Sequence, residues 1–319
     1  MMPKNKPLKI AVSGSLAYDQ IMDFPGRFAD HILPHEIHNL NLSFFLGGLR
    51  RSYGGTAGNI AYNLTLLKEK PIILGIAGFD FGDYRAWLKQ SGADLSHIRT
   101  VASDRTAAAY IITDQADNQI AAFYPGALPR DYARCARALK NIDLAIIAPD
   151  DKGRMLDYVA AYKANHIPYI FDPGQALIAF TPDELLKSIK GAKVLIGNDY
   201  EIKLIADKLK LKLSDLVGMV EILIITKGGQ GSEIYQGKAK IKVRPAKPKN
   251  TSDPTGAGDA YRAGLIKGLL MGYNLRACAQ LASTVSVYTV EKFGTQTHKF
   301  SLKELGIRYK KNYKEQLAI

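Results

Sequence analysis

The sequence predicts an α/β fold of three layers, with helices on both faces of a central, mostly parallel sheet and a small β-sheet lid. Three observations carry this prediction. Short apolar runs recur along the chain: IAVSG, PIILGIAG, LAIIAP, YIFDPG, VLIGN and EILIITKGG, most of them ending in Gly, Pro, Asp or Asn. Helical stretches such as NIAYNLTLLK, DYRAWLKQSG and GRMLDYVAAYKAN lie between many of them. Near-continuous apolar strands separated by helices are the pattern of a parallel sheet covered on both faces. Two segments, 16–54 and 104–127, depart from that rhythm and read as strand after strand. They form the expected lid. With no internal repeat, low-complexity tract or linker, residues 1–319 are expected to form a single domain.

Taken in order, the chain starts with the basic stretch MMPKNKPLK and enters its first strand at Ile10. The IAV run there is too short for a signal-peptide core. LAYDQIMDF and NLNLSFFLG read as the first two lid strands, and DQADN reads as a hairpin turn inside TAAAYIITDQADNQIAAFYPG. Between the first two lie His31, His35 and His38 in HILPHEIH. The metal motif HExxH would need His at position 39, which is Asn39, and Pro34 interrupts any helix, so this reads as a solvated lid segment. Tyr53-Gly54-Gly55-Thr56-Ala57-Gly58-Asn59 opens a helix. Its glycines either bring backbone against a ligand or allow tight packing. Asn198-Asp199-Tyr200-Glu201 ends a strand and starts a helix, where Asn and Asp are ordinary caps. Thr226-Lys227-Gly228-Gly229-Gln230-Gly231 follows a strand, and a hairpin turn is its simplest reading.

Composition narrows the function classes. Hydrophobic residues make up 47% and charged residues 23% of the 319, as in soluble globular proteins, and no apolar run reaches the length of a membrane span. The two cysteines, Cys135 and Cys278, lie far apart and form no CxxC, which points to a reducing, cytoplasmic compartment. The net charge of +13 attracts anions, nucleotides among them. The basic runs KAKIKVRPAKPK and RYKKNYKEQ carry no RNA-binding signature, so no nucleic-acid partner is expected.

The most informative stretch is Asp253-Pro254-Thr255-Gly256-Ala257-Gly258-Asp259. After it, Tyr261, Leu265, Ile266, Leu269 and Leu270 recur at helical spacing, and Gly272 is a natural stop. Small residues let backbone N–H groups approach a ligand, and a helix N-terminus adds unpaired donors and a partial positive charge. Together they make an anion hole suited to a phosphoryl group. An acid in such a hole has two readings. Either Asp259 is a general base on a hydroxyl that attacks phosphorus, or it caps the helix and the glycines make a turn. The patterns GxxxxGK[ST] and GxGxxG are absent, as is the protein-kinase set.

The order of these motifs resembles one family. Gly14-Ser15 with Asp19, then Gly54-Gly55…Asn59, then Asn198…Glu201, then DPTGAGD follow one another along the chain. It resembles the ribokinase-like (PfkB) carbohydrate and nucleoside kinases over nearly its whole length. The resemblance implies that ATP donates its γ-phosphoryl group to a primary hydroxyl. It implies that Asp259 takes the hydroxyl proton and that the amides of Gly256, Ala257 and Gly258 hold the transferred charge. Asn198 and Glu201 would organise Mg²⁺, Glu201 through water, together with the phosphates. Thr226, Gly228 and Gly231 would line the nucleotide site. Asp19, Gly54, Gly55 and Asn59 would hold the acceptor's hydroxyls. Asp253 and Thr255 match part of the family's monovalent-cation motif, with K⁺ as the expected ion. The later stretch VEKFGTQTH is too divergent to place the remaining ligands.

The stretches YGGTAGNIAYNL, DNQIAAFYPGAL, FDPGQAL and DPTGAGDAYRAG look most like family members described as adenosine or broad nucleoside kinases. The acceptor so implied is adenosine, through its 5′-hydroxyl, with ribose or another sugar as the alternative. A carboxylate accepts two hydrogen bonds from a vicinal diol, so Asp19 suits a ribose. A base needs an apolar slot, for which Phe44, Phe45, Phe123 and Tyr124 are candidates, although they equally suit the core of a small sheet. A regulator that only binds nucleotide or sugar has no need for an acid in the glycine hole. An exposed apolar lid face would let two lids pair in a homodimer.

Overall fold

The computed structural model describes residues 8–32, 41–116, 118–130, 139 and 141–317. The strands are β1 (Ile10–Ser13), β2 (Ala17–Asp23), β3 (Gly48–Gly54), β4 (Ile72–Gly78), β5 (Ile98–Val101), β6 (Ala107–Thr113), β7 (Gln119–Tyr124), β8 (Leu144–Ile147), β9 (Tyr169–Phe171), β10 (Val194–Asn198), β11 (Ile222–Thr226), β12 (Ser232–Gln236) and β13 (Ala239–Val243). The α-helices among the described residues are α1 (Thr56–Leu66), α2 (Gly82–Ser91), α3 (Lys152–Ala164), α4 (Pro182–Ile189), α5 (Asp199–Leu209), α6 (Leu213–Met219), α7 (Ala257–Leu270), α8 (Leu275–Val290) and α9 (Leu302–Tyr313).

The large sheet runs β13-β12-β11-β10-β9-β8-β1-β4-β5. Every pairing from β11 to β5 is parallel, and β12 and β13 turn back antiparallel at one edge. Its inner strands are largely apolar because successive residues serve opposite cores. Ile10 and Val12, Leu144 and Ile146, Val194 and Ile196, and Ile222 and Ile224 enter one core. Ala11, Ala145 and Ile147, Leu195, and Leu223 and Ile225 enter the other. The first core is closed by α1, α7, α8 and α9 through Ile60, Leu64, Leu265, Ile266, Leu281, Val285, Leu305 and Tyr309. The second is closed by α3 to α6 through Met155, Tyr158, Leu185, Ile202, Ile205 and Leu216. Each such aliphatic side chain, fully buried, contributes about 1.5–3 kcal/mol. The expected three-layer α/β/α fold is therefore present, and only the strand ends remain open.

The basic run KAKIKVRPAKPK is in part the edge strand β13. Lys240 and Lys242 reach Glu233 on β12 at 3.2 and 3.8 Å. Lysine on an edge strand discourages pairing with other chains, so this charge has a structural use. The run RYKKNYKEQ begins in the last turns of α9.

The lid is a separate sheet in the order β3-β2-β6-β7. The hairpin between β6 and β7 forms where expected, with Thr113 paired to Gln119. Its turn is held by Asp114, whose carboxylate accepts from the amides of Ala116 and Asn118 and from that of Phe28. Asp117 lies outside the described residues. The strand expected at NLNLSFFLG does not form in residues 41–47; β3 starts at Gly48 instead. The reason is local packing. Phe44 joins Phe24, Phe28 and His31 in an aromatic cluster, with ring centroids 4.7 Å apart for Phe24 and Phe44. Phe45 points into solvent, 88% exposed. His35 and His38 lie outside the described residues, as does Cys135, while Cys278 is a buried free thiol. Among the described residues no His, Cys, Asp and Glu side chains converge as a metal cage, and no helix is long and apolar enough to cross a membrane.

Helices α7 and α8 cross closely at Gly264, where an added Cβ would lie 2.6 Å from Ala282 Cα. Replacing Gly264→Ala forces the helices apart. The expected loss is about 1–3 kcal/mol, read as a lower denaturation midpoint at unchanged m-value.

Candidate active site

The carboxyl ends of β1, β8, β9, β10 and β11 open on one cavity of about 540 Å³, through Ser15, Asp150, Asp172, Asn198 and Thr226. The N-terminus of α7 closes one side with Gly256, Gly258 and Asp259. The lid contributes Asp19 from β2, Ala109 from β6 and Phe123 from β7. A second cavity of about 1230 Å³ adjoins it under the lid and shares Asp19, Thr255 and Thr295 with the first. Open α/β sheets place ligands beyond the carboxyl ends of their strands.

Local chemistry fixes these walls. Gly55 precedes α1 with φ of 83°, and an added Cβ would lie 2.6 Å from both Ala17 N and Ser15 O. No other residue fits there without strain. Thr56 then ties the helix to the sheet: its amide donates to Ser15 Oγ at 3.1 Å and its hydroxyl to Pro149 O at 2.9 Å. In DPTGAGD, Asp253 holds the loop, accepting from the amides of Thr255 at 2.9 Å and Gly294 at 3.0 Å. Gly256 is the cap residue of α7 and takes φ of 75°.

This decides the place of Asp259. Helix α7 starts at Ala257, so Asp259 is its third residue, and no side chain caps the helix. The carboxylate instead accepts a hydrogen bond from Asn59 Nδ2 at 2.9 Å and faces the cavity. The amides of Gly256, Gly258 and Asp259 have no partner among the described residues. The Ala257 amide donates to Pro254 O at 3.1 Å, so it is turned away from the hole expected of Gly256, Ala257 and Gly258.

Charge in the cavity is crowded. Burial pushes Asp259 up to about 6; Asp172 and Asp19 push the same way, while Arg262 and the Asn59 hydrogen bond oppose them. Burial and Asp253 likewise push Asp19 up to about 6. Glu201 is raised by burial and by Asp172. Arg262 stands against Asp172, Asp259 and Glu201. Arg262, on the turn of α7 after Asp259, is 8% exposed and forms an ion pair with Asp172. Its Nη1 lies 2.6 Å from where a Gly258 Cβ would stand, so Gly258 makes room for the guanidinium beside the hole. The other Asp172 oxygen, Oδ1, is buried with no partner among the described residues.

Most residues singled out in the sequence meet here. Asp19, Gly55, Asn59, Phe123, Asn198, Glu201, Thr226, Thr255, Gly256, Gly258 and Asp259 line the cavity. Gly54 stands behind Asp19, where an added Cβ would lie 2.5 Å from Asp19 Oδ2. Asp253 lines the adjoining cavity. Asn198 and Glu201 form the capping box of α5, with reciprocal bonds of 2.8 Å, and still face the cavity. Gly228 and Gly231 are not among the lining residues. Gly231 has φ of 92°, and an added Cβ would lie 2.1 Å from Val243 O, so a turn explains it. Arg262 and Asp172 went unnoticed in the sequence. The available signals were an arginine on the apolar side of α7 and an Asp ending the strand YIF.

Comparison with known proteins shows the family. The sequence pattern of the pfkB family carbohydrate kinases matches residues 22–301. The chain belongs to the pfkB family. The nucleoside kinase of Burkholderia thailandensis in complex with inosine is 35% identical, with a TM-score of 0.88 over 96% of this chain and 99% of that one. Its complex with ADP and inosine gives 36% and 0.85, over 96% and 97%. A nucleoside kinase of Methanothermobacter thermautotrophicus is 34% identical over 271 residues, 81% of this chain and 84% of the relative. This pfkB kinase is accordingly an ATP-dependent phosphotransferase acting on a hydroxyl group of a nucleoside or sugar.

The raised carboxyl of Asp259 has a cost in stability. Its folded value of about 6 lies above the usual unfolded value near 4. The folded state therefore holds the proton more tightly, and stability is lost as pH rises through about 6. Asp259→Asn removes that loss. Thermal unfolding of the pfkB kinase should show a higher Tm for this variant at pH 8, with the gain shrinking towards pH 5.

Proposed function

We propose that this pfkB kinase transfers the γ-phosphoryl group of ATP to the 5′-hydroxyl of a nucleoside, adenosine first, giving AMP and ADP. The observation that carries this is Asp259: a half-buried carboxylate in an anion hole that caps nothing and faces the cavity. Its raised value, about 6, suits a base that works near neutral pH. The acceptor's 5′-hydroxyl gives its proton to Asp259 as its oxygen attacks the γ-phosphorus from the side opposite the leaving ADP. Phosphoryl transfer depends on such in-line placement and on charge stabilisation. The free amides of Gly256, Gly258 and Asp259, the start of α7 and the guanidinium of Arg262 supply that stabilisation. Thr226, at the end of β11, and Asn198 would border the nucleotide phosphates.

Asp19 would accept the two ribose hydroxyls. Phe123, 58% exposed on the lid, would stack on the base. The relatives whose names specify nucleosides support this acceptor over a free sugar. The donor set also suits Mg²⁺, which keeps several waters and takes few protein carboxylates. The unpartnered Oδ1 of Asp172 and the carboxylate of Glu201 would hold it through water. When bound, it would neutralise charge on the phosphates. Asp253 fixes the loop bearing Thr255, beside which a monovalent cation such as K⁺ would bind.

The test is phosphorylation by Mg·ATP of adenosine, inosine, guanosine, cytidine, ribose and fructose, with Asp259→Asn in parallel. Turnover of nucleosides, adenosine foremost, should fall roughly 10²–10⁴-fold in the variant, and in the parent it should decline below about pH 6. Turnover of free sugars alone would overturn the acceptor. Full activity of the variant would overturn the base.

A further inference from the structure

The stretch FGTQTH, residues 293–298, touches the site through Gly294 and Thr295, and it is fastened on every side. The Gly294 amide donates to Asp253, and Thr295 Oγ1 donates to Tyr53 O at 2.7 Å. His298 is buried against Asn63 and Thr289. Between them Gln296 is 3% exposed and spends its whole side-chain amide. Trp87 Nε1 on α2 donates to Gln296 Oε1 at 3.1 Å. Gln296 Nε2 donates to Asn59 Oδ1 at 3.0 Å and to the Tyr84 hydroxyl at 2.5 Å. The Tyr84 hydroxyl in turn donates a hydrogen bond to Gly54 O at 2.8 Å. An added Cβ on Gly58 would lie 1.8 Å from that hydroxyl, so α1 carries a glycine where the network needs space.

The direction of this relay is forced by chemistry. An indole N–H can only donate. Gln296 must therefore turn its oxygen to Trp87 and its nitrogen to Asn59. Asn59 must answer with its oxygen, which leaves its nitrogen for Asp259 at 2.9 Å. Turning any one amide around would set donor against donor or acceptor against acceptor in a buried place.

We infer that Gln296, anchored by Trp87, is a positioning residue for phosphoryl transfer: it locks the Asn59 amide with its N–H towards the base. The inference rests on Asp259 being that base. The locked bond occupies Oδ2 of Asp259 and leaves Oδ1 for the incoming hydroxyl. It also favours the ionised carboxylate, which is the form that takes a proton. Without the lock, Asn59 is free to present its carbonyl oxygen to Asp259, which repels the carboxylate and raises its pKa further.

Two variants test this in the full-length enzyme. Gln296→Met keeps the length of the side chain and removes both ends of the relay. Trp87→Phe removes only the N–H and keeps a ring against Tyr53 and Tyr62. The groups facing Asp259 stay in place in both: Arg262 on its own helix, Asp172 at the end of β9, Asp19 on the lid and Tyr84 on α2. The readout is kcat/KM against pH from about 5 to 9, with Tm and ATP affinity as folding controls. In Gln296→Met the acid limb should move up by about half a unit or more, and kcat at neutral pH should fall roughly 10-fold, the scale seen when outer partners of a site are removed. Trp87→Phe should give the same changes on a smaller scale, and carries the test alone if Gln296→Met does not fold. An acid limb at the parent position in folded variants overturns the inference, even if kcat falls, because a purely structural role would leave that limb in place. Asp259→Asn separates this from the reading beneath it: if that variant keeps full turnover, the base assignment fails, whatever Gln296 and Trp87 do.

Discussion

A half-buried carboxylate needs donors, and three elements supply them to Asp259 without neutralising it for good. The parallel sheet buries both of its faces, so its only open ground is the row of strand ends. There the first residues of α7 bring unpaired amides, and Arg262 brings a full charge already shared with Asp172. Asn59 brings a neutral donor. The balance leaves the carboxyl group ionised at neutral pH yet ready to take a proton. A fully paired Asp259 would be more stable and a weaker base.

The same row of strand ends explains why so much was legible in the sequence. IAVSG, LAIIAP, VLIGN and EILIIT must fill two cores at once, so they are mostly apolar and announce themselves. Helix α7 was equally plain, because Leu265, Ile266 and Leu269 repeat at its period. The lid was legible only in part. Strand β3, GLRRSYG, has two arginines and no alternation, and β2 rather than its own pattern sets its register. The aromatic run before it looked more like a strand, but Phe44 was drawn into a cluster with Phe24 and Phe28.

In the site, the sequence disclosed several residues whose backbone is special, Gly55, Gly256 and the capping pair Asn198 and Glu201 among them. Those it hid are ordinary residues made special by distant partners. Arg262 on the apolar side of α7 lacks an evident partner until Asp172, far away in sequence, is seen beside it. Gln296 has no local signature, because its partners Trp87 and Asn59 lie 209 and 237 residues away. Gly231 shows the reverse case, a conspicuous glycine whose cause is the nearby carbonyl of Val243.

Those separations have a consequence for the newly made chain. On the ribosome, Asp19, Asn59 and Asp172 emerge long before Asp259, and Gln296 emerges later still. The early strands can pair as they appear, but the Asn59 amide facing Asp259 is set in direction only when the C-terminal stretch docks on α1 and α2. Contacts of such long range form late and slowly. A growing chain thus carries glycine turns and acids before the residues that orient them have docked.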